Sequence, residues 1–189
     1  VTHVTEDDLD DVEFDTLRTG DHTAAAERLA ALAESVSGGV SRAKVLLRAG
    51  EQWQHAGEHD KAATCYRQSI EDGGETYGDP RAYLADALFE LGRKDEAQTL
   101  LDEIRADAPQ DPEVYRTVAE VLYEQGEASG AFDWATAGAD LVLALQGARP
   151  PSQADDSLEG LLRLRYRARI DLGRPEDTYD TLLDDLLKN

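Results

Sequence analysis

Little in this 189-residue chain could staple it, anchor it or draw it to a polyanion. A single cysteine, Cys65, excludes a disulfide framework. No apolar run approaches the roughly 18 residues of a membrane-spanning helix. The opening VTHVTEDDLDDVE is acidic, where a secretion signal would be basic and then apolar, so the expectation is a soluble cytoplasmic chain. Basic side chains number 19 against 40 acidic ones, and a net charge of −21 repels phosphate backbones and anionic lipid, so neither nucleic acid nor membrane is an expected partner. Prolines are scarce and aromatic residues make up 6% of the chain. The 41% of apolar residues is nonetheless enough to bury a core, which points to a helical chain punctuated at intervals rather than an acidic disordered tail.

What the chain does have is a period. Gly20, Gly57, Gly92, Gly126 and Gly173 each follow one helix-like stretch and precede another, at separations of 37, 35, 34 and 47 residues. Three residues after the first four stand Thr23, Asp60, Asp95 and Ser129, side chains suited to capping the start of a helix. Five residues after the glycines come Ala25, Ala62, Ala97, Ala131 and, in the last case, Thr178; four further on come Leu29, Tyr66, Leu101, Ala135 and Leu182. A small residue followed one turn later by a larger one lets two helices approach closely. Upstream, Trp53, Leu88 and Leu122 precede their glycines by four residues, and Ala49-Gly50, Leu84-Ala85 and Val118-Ala119 lie one turn earlier.

This alternation predicts ten helices, near 6–19, 23–36, 41–56, 60–72, 80–91, 95–107, 112–125, 129–146, 157–172 and 175–187, with no strand pattern. The wider last spacing predicts an inserted loop over 147–156, where Pro150 and Pro151 stop a helix and Ser157, Asp155 or Asp156 caps the next. LVLAL at 141–145 is apolar all round and is a candidate contact surface or packing under that loop.

The segments LLRAGEQWQHAGEHDKAATCYRQSI, YLADALFELGRKDEAQTLLDEIRADAP and YRTVAEVLYEQGEASGAFDWATAGA, covering about Leu46 to Gly138, resemble the tetratricopeptide repeat. The first and last segments keep the period more than the motif, as end repeats facing water do. The resemblance implies an all-α, right-handed solenoid of about five helix-turn-helix repeats in one domain, with repeats near 6–36, 41–73, 79–108, 112–146 and 157–189. It also implies a non-catalytic protein-binding scaffold whose first helices line a concave groove. The positions that would face the groove are Leu47, Glu51 and Gln54, then Ala82, Asp86 and Phe89, then Arg116, Glu120 and Tyr123. The terminal repeats would add Arg163, Arg167 and Ile170 at one end and Asp10, Phe14 and Leu17 at the other. The Lys and Asn with which chaperone-binding members of the family hold a C-terminal carboxylate are replaced here by Leu47, Glu51, Ala82 and Asp86. Carboxylates with Phe89 and Tyr123 between them would instead favour a basic, partly apolar protein or peptide, against the alternative of a merely solvated acidic face.

Three other features compete for a role. HAGEH, from His55 to His59, spells a zinc-peptidase pattern, but that pattern needs one continuous helix, and Gly57 is the turn residue of the repeat. Neither metal nor cofactor is expected, and Cys65, with no histidine held beside it, is read as an inert thiol. In LRLRYRAR the arginines form two pairs one turn apart, Arg163 with Arg167 and Arg165 with Arg169, either an anion-binding patch or structural partners for nearby acids of the fourth repeat and of Asp155 and Asp156. Two alternatives from other classes stand beside the scaffold: a helical homodimer with a structural or regulatory role, and a metal-dependent hydrolase at His55 and His59.

Overall fold

The computed structural model describes residues 2–146 and 151–188, with side chains 151–155 left aside. Among these residues ten α-helices follow one another: α1 (Glu6–Thr19), α2 (His22–Ser35), α3 (Arg42–His55), α4 (His59–Asp72), α5 (Pro80–Glu90), α6 (Lys94–Ala106), α7 (Pro112–Glu124), α8 (Ala128–Leu145), α9 (Pro151–Asp171) and α10 (Thr178–Leu187). The fold is all-α, built from repeated helix-turn-helix pairs. Two short elements are not helical. β1 (Thr2–Val4) and β2 (Val36–Gly39) pair in parallel, so the expectation of no strands fails at the first repeat. Neither segment alternates apolar and polar residues over a useful length, and Val4 alone is buried, which left no periodicity to read.

Four of the five repeat turns share one construction, while in the first the Gly20 N–H donates to the Thr16 carbonyl four positions earlier at 2.7 Å. In those four, the N–H of the residue after the glycine reaches back to a carbonyl five positions earlier, and the glycine N–H to one three positions earlier: Glu58 to Trp53 at 2.9 Å and Gly57 to Gln54 at 2.9 Å. The same pair of bonds recurs at Arg93/Gly92, Glu127/Gly126 and Arg174/Gly173. This is the Schellman closure, and it requires the left-handed conformation that Gly57 holds at φ +78°. In three of the four, the residue that closes one helix also opens the next, because the carbonyls of Glu58, Arg93 and Glu127 accept the N–H of Ala62, Ala97 and Ala131.

That economy corrects the expected caps. Asp60, Asp95 and Ser129 lie inside helices that begin one residue earlier, as does Thr23 of α2, whose N-cap is Asp21. Side-chain capping occurs instead mostly between repeats, where Asp79 and Asp111 cap helices with Pro80 and Pro112 in the first turn.

The chain forms two compact bodies, residues 1–104 and 105–189. In the N-terminal body successive helices from α1 to α5 pack on one another, and α3 also touches α5. In the C-terminal body α7 packs on α8, α8 on α9 and α9 on α10, with α7 also against α9. The small-then-large pattern forms the core as expected: Ala25, Ala62, Ala97 and Ala131 are buried, as are Leu29, Tyr66, Leu101 and Ala135. The closest approach is at Gly50, where a Cβ atom would stand 2.3 Å from the Tyr66 ring. The last repeat breaks the pattern, with Thr178 exposed and Leu182 half-buried.

The inserted segment is also corrected in part. Residues 147–150 lie outside the described residues, but α9 already runs from Pro151. Ser157 is therefore not a cap; its hydroxyl donates to Glu113 Oε1 at 3.2 Å. Within LVLAL, Val142 is buried and Leu143 exposed, so the run divides between core and surface. No helix of the described residues is long and apolar enough to cross a membrane.

Candidate functional site

In the N-terminal body the expected groove positions of α3 and α5 are mostly interior. Leu47 and Ala82 are fully buried and Phe89 nearly so, which makes them core residues. Glu51, Gln54 and Asp86 are half-buried and already hydrogen-bonded. The Tyr77 hydroxyl donates to Glu51 Oε2. Burial raises the Glu51 carboxyl above its ordinary pKa, outweighing that hydrogen bond, and burial together with the Glu51 charge holds the Tyr77 phenol protonated. The Tyr77 ring stands edge-on to Tyr83 at 6.2 Å, and Tyr83 lies 5.9 Å from Tyr66. Gln54 Nε2 donates to Asp86 Oδ2 at 2.7 Å. Arg48, 5.6 Å from the Tyr77 ring centre, is turned toward α1, pairing with Glu13 at 2.8 Å and Asp10 at 3.1 Å.

The open apolar surface of this body is on α1. That helix buries Leu9, Val12 and Thr16 and leaves Phe14 71% and Leu17 86% exposed on its other side. Seven of its 14 residues are acidic. Asp7, Asp10 and Asp11 occupy the same outer side one to two turns before the apolar pair.

In the C-terminal body Arg116 divides between Glu113 at 2.6 Å and Glu120 at 2.9 Å. Tyr123 hydrogen-bonds the Asp171 carboxylate, which raises the phenol pKa. Arg163 pairs with Glu159 at 2.6 Å and shares an exposed face of α9 with Arg167, Tyr166 and Ile170, the last two 43% and 52% exposed.

The other two arginines of LRLRYRAR turn inward. Arg165 keeps 4% of its surface and Arg169 3%. Arg165 forks onto both oxygens of Asp177 at 3.0 and 2.6 Å, donates to Thr136 Oγ1 at 2.9 Å, and lies 4.3 Å from the Phe132 ring centre and 4.2 Å from that of Tyr179. Arg169 donates to Asp180 Oδ1 at 3.0 Å and to the Arg174 carbonyl at 2.7 Å. The structural reading of this pair thus finds acidic partners at the start of α10, where Asp177 and Asp180 also form the capping box; the Asp155 side chain lies outside those described. Hydrogen bonding from Arg165 holds the Asp177 carboxyl below its ordinary pKa. Sequence order hid this arrangement because Asp177 and Asp180 look like ordinary first-turn acids.

His55 ends α3 and His59 begins α4, a helical position rather than the loop expected, with the left-handed Gly57 between them. The His55 ring lies 5.1 Å from that of His22, and His59 Nε2 lies 3.9 Å from Glu90 Oε2. Among the described residues no group of three or more His, Cys, Asp or Glu side chains is placed to hold a metal ion. Burial pushes the Cys65 thiol up to about 11, so it is protonated at neutral pH.

Paired helices joined by a single left-handed glycine, with a small residue and then a larger one facing the preceding helix, define a helical-repeat protein. A family model of the tetratricopeptide repeat matches residues 54–121, in agreement with the helix-turn-helix repeats seen there. No curated protein matches the chain in a sequence comparison. Repeats of this family generally mediate protein–protein interaction.

Proposed function

We propose that the chain is a non-catalytic protein-binding module whose N-terminal body takes a basic, partly apolar segment of a partner. The observation that carries the reading is the outer face of α1, where Phe14 and Leu17 stand in solvent beside Asp7, Asp10 and Asp11. Two large apolar side chains one turn apart, on a helix whose core contacts are made by other residues, have no role in packing their own repeat. The carboxylates beside them attract cations over about 8 Å at physiological salt. Glu51 and Asp86, the expected groove carboxylates, spend hydrogen bonds within the body. The enzymatic alternative loses its geometric basis, since His55 and His59 sit on different helices.

The test is fluorescence anisotropy with a labelled amphipathic peptide carrying Arg and aromatic residues. Binding by the full chain should weaken at least tenfold in a Phe14→Ser, Leu17→Ser double variant, a loss of about 1.4 kcal/mol or more. Equal affinity in the variant, or equal affinity for an acidic peptide of the same apolar content, would overturn the proposal.

A further inference from the structure

We infer that the partner segment is supplied by a second copy of this chain: the outer face of α9 of one copy docks on the outer face of α1 of another. The inference rests on the proposal that α1 takes a basic, partly apolar segment, and α9 has that chemistry. Arg163 and Arg167 share its exposed face with Tyr166 and Ile170. On α1, Asp7, Asp10 and Asp11 share theirs with Phe14 and Leu17.

The charge and apolar character of the two faces are complementary, and a parallel alignment that sets Asp10 against Arg163 also sets Leu17 against Ile170, with Phe14 beside Tyr166 and the Arg167 stem. The apolar side chains of both faces are spared by the fold, while Asp10 pairs with Arg48 and Arg163 with Glu159 within one copy and would share those partners on docking. The buried residues of α1 are Leu9, Val12 and Thr16, and α9 docks α10 through Arg165 and Arg169, on its other side. Each copy carries −21, so the bodies repel at low ionic strength; at about 0.15 M salt that repulsion is screened beyond about 8 Å, while charges in contact still attract.

The contact is heterologous: the surface used on one copy differs from the surface used on the next, so association continues head to tail until a ring closes or the supply of copies runs out. Mixing variants of the two faces gives a test that a dimer made by one face on its own copy would not pass. Sedimentation velocity of the full chain in 0.15 M salt should show a weight-average mass that rises with concentration toward about 100 μM. Phe14→Ser with Leu17→Ser, and separately Arg163→Glu with Arg167→Glu, change exposed side chains only, and each double variant alone should be monomeric with unchanged circular dichroism. Mixed, the two variants retain one intact α1 face and one intact α9 face, and should form a 1:1 dimer and nothing larger.

Wild-type chain that stays monomeric through that range, association that survives in either variant, or a mixture that remains monomeric would each overturn the inference. If the wild-type chain is monomeric but α1 still binds the labelled basic peptide, the self-docking inference alone fails. If the peptide does not bind either, the proposed function fails with it.

Discussion

The two bodies bury charge in opposite ways. In the N-terminal body a carboxylate, Glu51, is taken largely out of water with a tyrosine hydroxyl as its hydrogen-bond donor, and its pKa rises. In the C-terminal body two guanidinium groups go deeper still, yet Arg165 has both oxygens of Asp177, a threonine hydroxyl and two aromatic faces, and Arg169 has Asp180 and a backbone carbonyl. A buried charge is tolerated where its donors or acceptors are matched, and where they are few the group moves toward its neutral form. A carboxylic acid has that escape near pH 7 and an arginine does not, so it is the arginines that are fully partnered.

The contrast is sharpest when the better-matched site is broken. Asp180→Ala leaves Arg169 buried without its carboxylate, and thermal or urea unfolding should show a loss of about 3 kcal/mol. Tyr77→Phe removes the donor to Glu51; at neutral pH the expected loss is about 2 kcal/mol, shrinking in acid as the carboxyl protonates. Gly57→Ala tests the repeat turn apart from either charge: no atom lies within 4 Å of the added Cβ, so the cost is backbone strain alone, about 1 kcal/mol in a urea titration.

The smallest effect at neutral pH belongs to Glu51→Gln, which keeps an acceptor for Tyr77 and should change stability by less than about 0.5 kcal/mol or raise it slightly. Its signature is in the pH profile. The folded protein holds the Glu51 proton more tightly than the unfolded chain does, so this group lowers stability as the pH rises from 4.5 through its folded value, and the glutamine variant should lose that slope. Asp177 works in reverse, contributing stability above 3.8 that is lost as the pH falls through its depressed folded value.

How much of this was legible depended on whether the signal was local. The five glycines gave the register, and nine of the ten helices begin within three residues of their expected positions, because turn chemistry and a 3.6-residue stripe are written in adjacent residues. The capping assignments failed for a physical reason: a Schellman closure already supplies the first acceptor of the next helix, so Asp60 and Ser129 are not needed for it. At the candidate site, Arg163, Arg167, Phe14 and Leu17 are exposed in the first and last repeats, while Leu47, Ala82 and Phe89 went to the core. Family position alone does not separate a lining residue from a packed one; the bulk of the neighbours does. The Arg165–Asp177 and Arg169–Asp180 pairs span a turn and could not be told from any other acid and base in so charged a chain.

The one-glycine hinge leaves each repeat without slack. One residue added or lost beside Gly57 would rotate α4 by about 100° about its axis, carrying Ala62 and Tyr66 out of phase with α3 and presenting charged side chains in their place. Changes in chain length can therefore accumulate only in the joints from one repeat to the next, where the spacing of 47 residues between Gly126 and Gly173 already records one. A tag, label or graft meant to leave the repeats intact belongs in such a joint, at 107–110, ahead of the Asp111 cap.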